Sequence, residues 1–129
     1  MIVVKWGMMP FERVGAWKDA HAFALSVNLE ADQWPRHEMF VLSAQVRRAS
    51  LSIPANIAEG AGRRGSKEYR RFLDIALGSF SEVTYLLVFA RDRGYLPPDR
   101  WQALDQQRTI LGKKLWRLYE SVARKAASA

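Results

Sequence analysis

The chain has 129 residues, 49% hydrophobic and 26% charged, which fits one globular domain and excludes a disordered chain. Cysteine is absent, which excludes disulfides, thiolate metal sites, iron–sulfur clusters and a thiol nucleophile; two histidines, His21 and His37, are too few for most imidazole metal sites. The formal charge of +7 suits an acidic partner such as nucleic acid or an anionic surface.

The opening MIVVKWGMMP has no sustained apolar core and no small-residue cleavage site, so it does not read as a signal peptide. The first helical segment runs from about Val14 to Gln33, with Trp17, Ala20, Ala24, Val27 and Ala31 at spacings of three and four. Pro35 ends it, because the residue before a proline is pushed out of the helical region. The second segment spans about Glu38 to Ala58 on a seam of Leu42, Val46, Ala49, Ile53 and Ile57; the glycines at 60, 62 and 65 then break it. The third starts at Ser66, a good capping residue, with Glu68 in the first turn where the helix dipole favours a negative charge. Its seam is Tyr69, Leu73, Ala76, Phe80, Val83, Leu87 and Ala90, a heptad pattern, and Gly94 suits the position just past its end. Pro97 and Pro98 open the fourth segment, which runs to about Lys125 on Trp101, Leu104, Arg108, Leu111, Leu115, Leu118 and Val122. Arg108 interrupts that seam, and the sequence offers no reason for it.

No stretch alternates as a strand does, and no apolar run approaches the roughly 18 residues of a membrane-spanning helix. Four helices with short connections imply antiparallel neighbours, so the expected fold is all-α, an up-and-down four-helix bundle. A reducing, cytoplasmic setting without a membrane partner is the default for such a chain.

The charge is uneven along the chain. Residues 1–42 carry four basic and five acidic groups, whereas 43–129 carry sixteen and eight. The densest cluster, Arg63, Arg64, Lys67, Arg70 and Arg71, brackets GRRGSKE, the connection between the second and third helices. It is either a candidate anion-binding surface or a solvated loop.

Three features break local rules. Pro54 lies inside the second helical pattern and removes the amide that would bond the Ser50 carbonyl, which predicts a kink or two separate helices. Gly78 lies inside the third, where Ala76, Gly78 and Ser79 suggest close helix approach. On the second helix, Gln45, Arg48, Ser52, Asn56 and Glu59 form a polar stripe beside the apolar seam. The stripe suits an internal network with Ser79 and Glu82 on the third helix, a subunit interface, or a functional pocket.

No catalytic constellation emerges. The serines lack a nucleophile elbow, no carboxylate pair announces a cleft, and no phosphate-loop, dinucleotide or metal motif is present, so no enzyme activity, cofactor or metal is expected. Five tryptophans are read as core and interface packing, with stacking on nucleobases as the alternative.

The run LSAQVRRASLSIPANIAEGAGRRGSKEYRRFLDIALGSFSEV, residues 42–83, resembles the signature of the bacterial four helix bundle protein family, also known as the 23S rRNA intervening-sequence protein family. The matching elements are Gln45 to Ala49, Ser52 to Gly60, Arg63, Phe72-Leu73, Ala76 to Ser79, and Glu82. The likeness extends more loosely from Phe11 to about Val122, leaving residues 1–10 as a tail and 11–129 as one bundle domain. The resemblance implies a homopentameric ring, and relatedness to accessory proteins of diversity-generating retroelements, which associate with a reverse transcriptase and nucleic acid. Arg48, Asn56 and Glu59 belong to the signature, which favours a network or interface over a pocket.

The functional expectation is a non-catalytic module that binds RNA or DNA through Arg63, Arg64, Lys67, Arg70 and Arg71, with Arg47 as an addition. Five phosphate contacts would give a log–log salt slope near −4. The alternative is a protein-interaction scaffold, such as an accessory subunit of a reverse transcriptase.

Overall fold

The computed structural model describes residues 9–128. A 3-10 turn, Pro10–Arg13, leads into α1 (Gly15–Ala31); another, Arg36–Glu38, precedes α2 (Leu42–Ala61); α3 (Ser66–Asp92) and α4 (Pro98–Ser128) follow. No strand occurs among the described residues. Of the expected tail, residues 1–8 lie outside the described residues.

Helix α1 packs on α2 and α4, and α3 packs on the same two, so that the four helices enclose one core as a four-helix bundle. Phe23 and Val27 of α1, Val46, Ile53 and Ile57 of α2, Leu73, Val83 and Leu87 of α3, and Leu111 and Leu115 of α4 are fully buried. Each contributes about 1.5–3 kcal/mol of burial. These are the positions that the helical periodicities select, apart from Phe23, which the α1 seam omitted.

Helix ends depart from expectation for conformational reasons. Gly65, not Ser66, caps α3: its φ of +86° is open to glycine, and Ser66 is the first helical residue. Helix α2 runs past Ala58 to Ala61 and is continuous through buried Pro54, so the two-helix alternative is overturned. At the end of α3, Gly94 has φ +83°, with Tyr95 N–H donating to the Ala90 carbonyl and Gly94 N–H to that of Arg91. That pair of bonds is the Schellman arrangement.

The expectation for Gly78 is overturned. It is exposed, and a methyl group there would meet nothing within 4 Å. The close approaches occur at Gly60, where a Cβ would sit 2.8 Å from Tyr69 Cδ1 and 2.9 Å from Phe72 Cβ, and at Gly112, where it would sit 2.9 Å from Phe80 Cζ. Arg108 is half-buried between Leu104 and Leu111, its guanidinium folded back one turn onto Asp105 at 2.7 Å. Helix α3 corrects the membrane reading: it contains an 18-residue window of mean hydropathy 1.5, apolar enough by length and composition to cross a membrane, though only 28% of that window is buried.

Candidate nucleic-acid interface

The connection between α2 and α3 is residues 62–65. Behind it, the missing side chain of Gly60 lets Tyr69 and Phe72 close against α2. Phe72 thereby becomes a shelf for two cations. The Arg63 guanidinium lies 5.0 Å from its ring centre and that of Arg71 lies 4.5 Å away, both in the cation–π range.

The same two arginines also meet carboxylates. Arg63 Nη2 donates to Glu59 Oε2 at 2.7 Å, and Arg71 donates through Nε and Nη2 to Glu68, each at 3.2 Å. The hydrogen bonds from Arg71, with the charges of Arg71 and Arg63, hold the Glu68 carboxyl below the usual carboxylate value, and the same pairing raises Arg71. Arg64, Lys67 and Arg70 are exposed, and among the described residues no carboxylate lies within ion-pair distance of them. The five-residue cluster therefore divides into two partly neutralised arginines and three free cations.

The last turn of α4 adjoins this surface. Lys67, Arg70, Arg71 and Asp74 line a shallow recess with Ala126 and Ala127, and Arg124 and Lys125 line the next one with Ser121 and Ser128. On the other side, Arg63 shares a recess with Met9, Phe11 and Ala55. Asp19 on α1 meets Lys114 on α4 at 2.7 Å. These contacts gather residues 9–23, 52–79 and 113–128 into one half of the molecule. That half has twelve basic and six acidic residues, whereas the remainder, 24–51 and 80–112, has seven of each. All the net charge of the described residues thus lies in the half that holds the α2–α3 turn.

Arg47 does not join the cluster. Its Nη2 donates to Asp32 Oδ1 at 2.6 Å and its Nη1 to the Asn28 carbonyl and Oδ1 at 3.4 and 3.3 Å, which ties α2 to α1. It lies fourteen residues, about 21 Å along the axis, before the end of α2 at Ala61, beyond which Arg63 sits.

The polar stripe forms a network between α2 and α3 with the partners expected. Gln45 Nε2 donates to Glu82 Oε2 at 3.1 Å, Ser79 Oγ donates to Ser52 Oγ at 2.8 Å, and Asn56 Nδ2 donates to the Ser52 carbonyl and Oγ at 2.8 and 3.0 Å. Arg48 is exposed, and Glu59 turns instead to Arg63. Among the described residues no three His, Asp or Glu side chains converge to hold a metal ion.

The family profile described as 23S rRNA-intervening sequence protein matches residues 12–117. The chain belongs to this family. The chain is also similar to a crystal structure from Bacteroides thetaiotaomicron, described as a protein with unknown function from the S23 ribosomal protein family. It superposes with a TM-score of 0.73 at 25% identity, covering 81% of this chain and 95% of that one. No curated protein matches the chain. The intervening-sequence signature residues Gln45 to Glu82 all fall within the matched span.

Sequence reasoning missed the Phe72 shelf, the role of Gly60, and the addition of Arg124 and Lys125. The last was within reach, since short connections put the end of the fourth helix beside the start of the third. Gly60 and Phe72 gave no local signal, because each is defined by a neighbour on another helix.

Proposed function

We propose that the chain is a non-catalytic nucleic-acid-binding module that grips phosphates through the α2–α3 turn and works as a homopentameric ring of antiparallel, up-and-down bundles. The observation that carries the reading is the charge separation, with three free cations on the exposed α2–α3 turn and the start of α3. Phosphate contacts need cations that no carboxylate has claimed, and Arg64, Lys67 and Arg70 meet that need.

The contacts between α2 and α3 support the antiparallel arrangement: Gln45, Ser52 and Gly60 meet Glu82, Ser79 and Tyr69 in turn, so residue numbers rise on one helix as they fall on the other. Self-assembly is supported by α3. Its outward face carries Ile75, Tyr85 and Phe89, which are 42%, 62% and 39% exposed, with Glu82 among them. Exposed apolar side chains grouped on one helix face mark an interaction surface. A ring would repeat the basic turn once per subunit.

The test is fluorescence anisotropy with labelled RNA and DNA across a salt series. Because Glu59 and Glu68 hold Arg63 and Arg71, the slope expected for one turn is about −3 rather than the steeper value for five free cations. Replacing Arg64, Lys67 and Arg70 together by Ala abolishes most of the binding and flattens the slope. Undetectable binding at low salt, or binding unchanged in the triple variant, overturns the nucleic-acid reading. Sedimentation reads the assembly: a monomer overturns the ring.

A further inference from the structure

Trp116 is 51% exposed on α4, in the half of the molecule that holds the net charge. A half-open indole on a helix surface is unusual, because tryptophan is the side chain with the most apolar area to bury. Its ring is nevertheless held in place: Tyr119 stacks beside it, with centroids 5.5 Å apart and planes inclined by 23°. Helical spacing puts Lys113 and Arg124 on the flank beside Trp116, with Arg117 next to them about 100° round from the indole. All three are exposed, and among the described residues none has a carboxylate within ion-pair distance. Glu120 is the sole acidic residue between 113 and 128. Arg124 and Lys125 then carry this face to the recesses that adjoin Lys67 and Arg70.

We infer that the outer face of α4 is a stacking platform for single-stranded nucleic acid, with a nucleobase lying on the Trp116 indole while Lys113, Arg117 and Arg124 hold the flanking phosphates. The inference rests on the nucleic-acid reading of the basic turn and narrows it to a ligand class. Phosphate contacts alone do not distinguish a duplex from a single strand. An aromatic ring does, because only an unpaired base offers its face, and every base has one. Positive charge on both sides of the ring suits a polyanion, whereas a second copy of the same basic face would be repelled. A strand seated on Trp116 would run along α4, past Glu120, to Arg124 and on to the α2–α3 turn.

The experiment compares an oligothymidylate with a mixed-sequence duplex of equal length, using the full chain and anisotropy at fixed salt. Trp116→Ala is expected to weaken oligothymidylate binding about tenfold and duplex binding less than about twofold. Trp116→Phe, which keeps a ring, retains most of the affinity. Trp116→Lys adds a cation but no stacking surface, and it loses the single-strand preference even though its charge is more favourable. Photocrosslinking of bromodeoxyuridine-substituted oligothymidylate to the wild-type chain, mapped by mass spectrometry, is expected to mark Trp116 or Tyr119.

Equal effects of Trp116→Ala on both polymers, no effect on either, or crosslinks confined to the α2–α3 turn would overturn the platform and leave the basic turn standing. A fall in assembled mass with Trp116→Ala would assign the indole to a contact between copies and also overturn it. A wild-type chain that binds duplex but not oligothymidylate removes the platform alone. A wild-type chain that binds neither removes the basic-turn reading together with it.

Discussion

A methyl group at Gly60 would lie 2.8 Å from Tyr69 Cδ1, 2.9 Å from Phe72 Cβ and 3.3 Å from the Tyr69 carbonyl. Two of those neighbours are anchored to the α3 backbone, so relief requires the helices to move apart. Overpacking of this kind costs about 1–3 kcal/mol, against about 1 kcal/mol regained from the better helix propensity of alanine. Gly60→Ala is therefore expected to lower stability in urea unfolding. The same substitution at Gly78, where the added methyl meets open space, is expected to raise it by up to about 1 kcal/mol. Opposite signs at two helical glycines separate packing from propensity. Tyr69 adds a further strain at this contact: its hydroxyl is buried without a hydrogen-bond partner among the described residues, and burial pushes the phenol pKa up. Phe72, pressed in place by Gly60, sets the positions of Arg63 and Arg71 together, so one residue without a side chain governs two charges on the surface.

At the scale of the elements, α1 is tied to α4 by a knot of three side chains. Glu30 is 5% exposed; Arg100 donates to it through Nε at 2.7 Å and Nη2 at 3.1 Å, and Trp34 Nε1 donates at 2.9 Å. The hydrogen bond to Glu30 raises the Arg100 pKa above its ordinary value. Arg100→Ala leaves a buried carboxylate with one neutral donor, and a loss of about 2–4 kcal/mol is expected in urea unfolding. Arg100→Lys restores only part of it, because an ammonium cannot form the forked pair. A loss below about 0.5 kcal/mol would mean that water replaces the guanidinium. None of this knot was legible in the sequence, where Glu30 and Arg100 are seventy positions apart. The helices themselves were legible, because periodicity reports which face is covered. Leu73, Ala76, Val83 and Leu87 are as buried as their heptad spacing demands. The basic cluster was legible as a run of residues, but its division into paired and free cations depends on rotamers. Gly78 misled because small residues in a row look the same whether a neighbouring helix faces them or solvent does.

The whole molecule is electrically lopsided. One half carries twelve basic and six acidic residues, and the other is balanced at seven of each. Placement, not the count of arginines, should then govern binding. Arg36→Ala with Arg93→Ala, both in the balanced half, is expected to leave nucleic-acid affinity within about twofold in anisotropy at fixed salt. Removing Arg64 and Arg70 takes away the same charge and weakens binding at least tenfold. Equal losses from the two pairs would mean that total charge suffices. The basic turn has one more consequence. Neither histidine belongs to it: His21 stacks on Trp17 in α1, and His37 meets Tyr95 in the balanced half. Its charged groups are guanidinium, ammonium and carboxylate, with no imidazole among them, and the hydrogen bond from Arg71 holds the Glu68 carboxyl below the usual carboxylate value. The turn is therefore a contact without a proton switch. Counterions compete for it directly, and a change in ionic strength tightens or releases it at constant acidity.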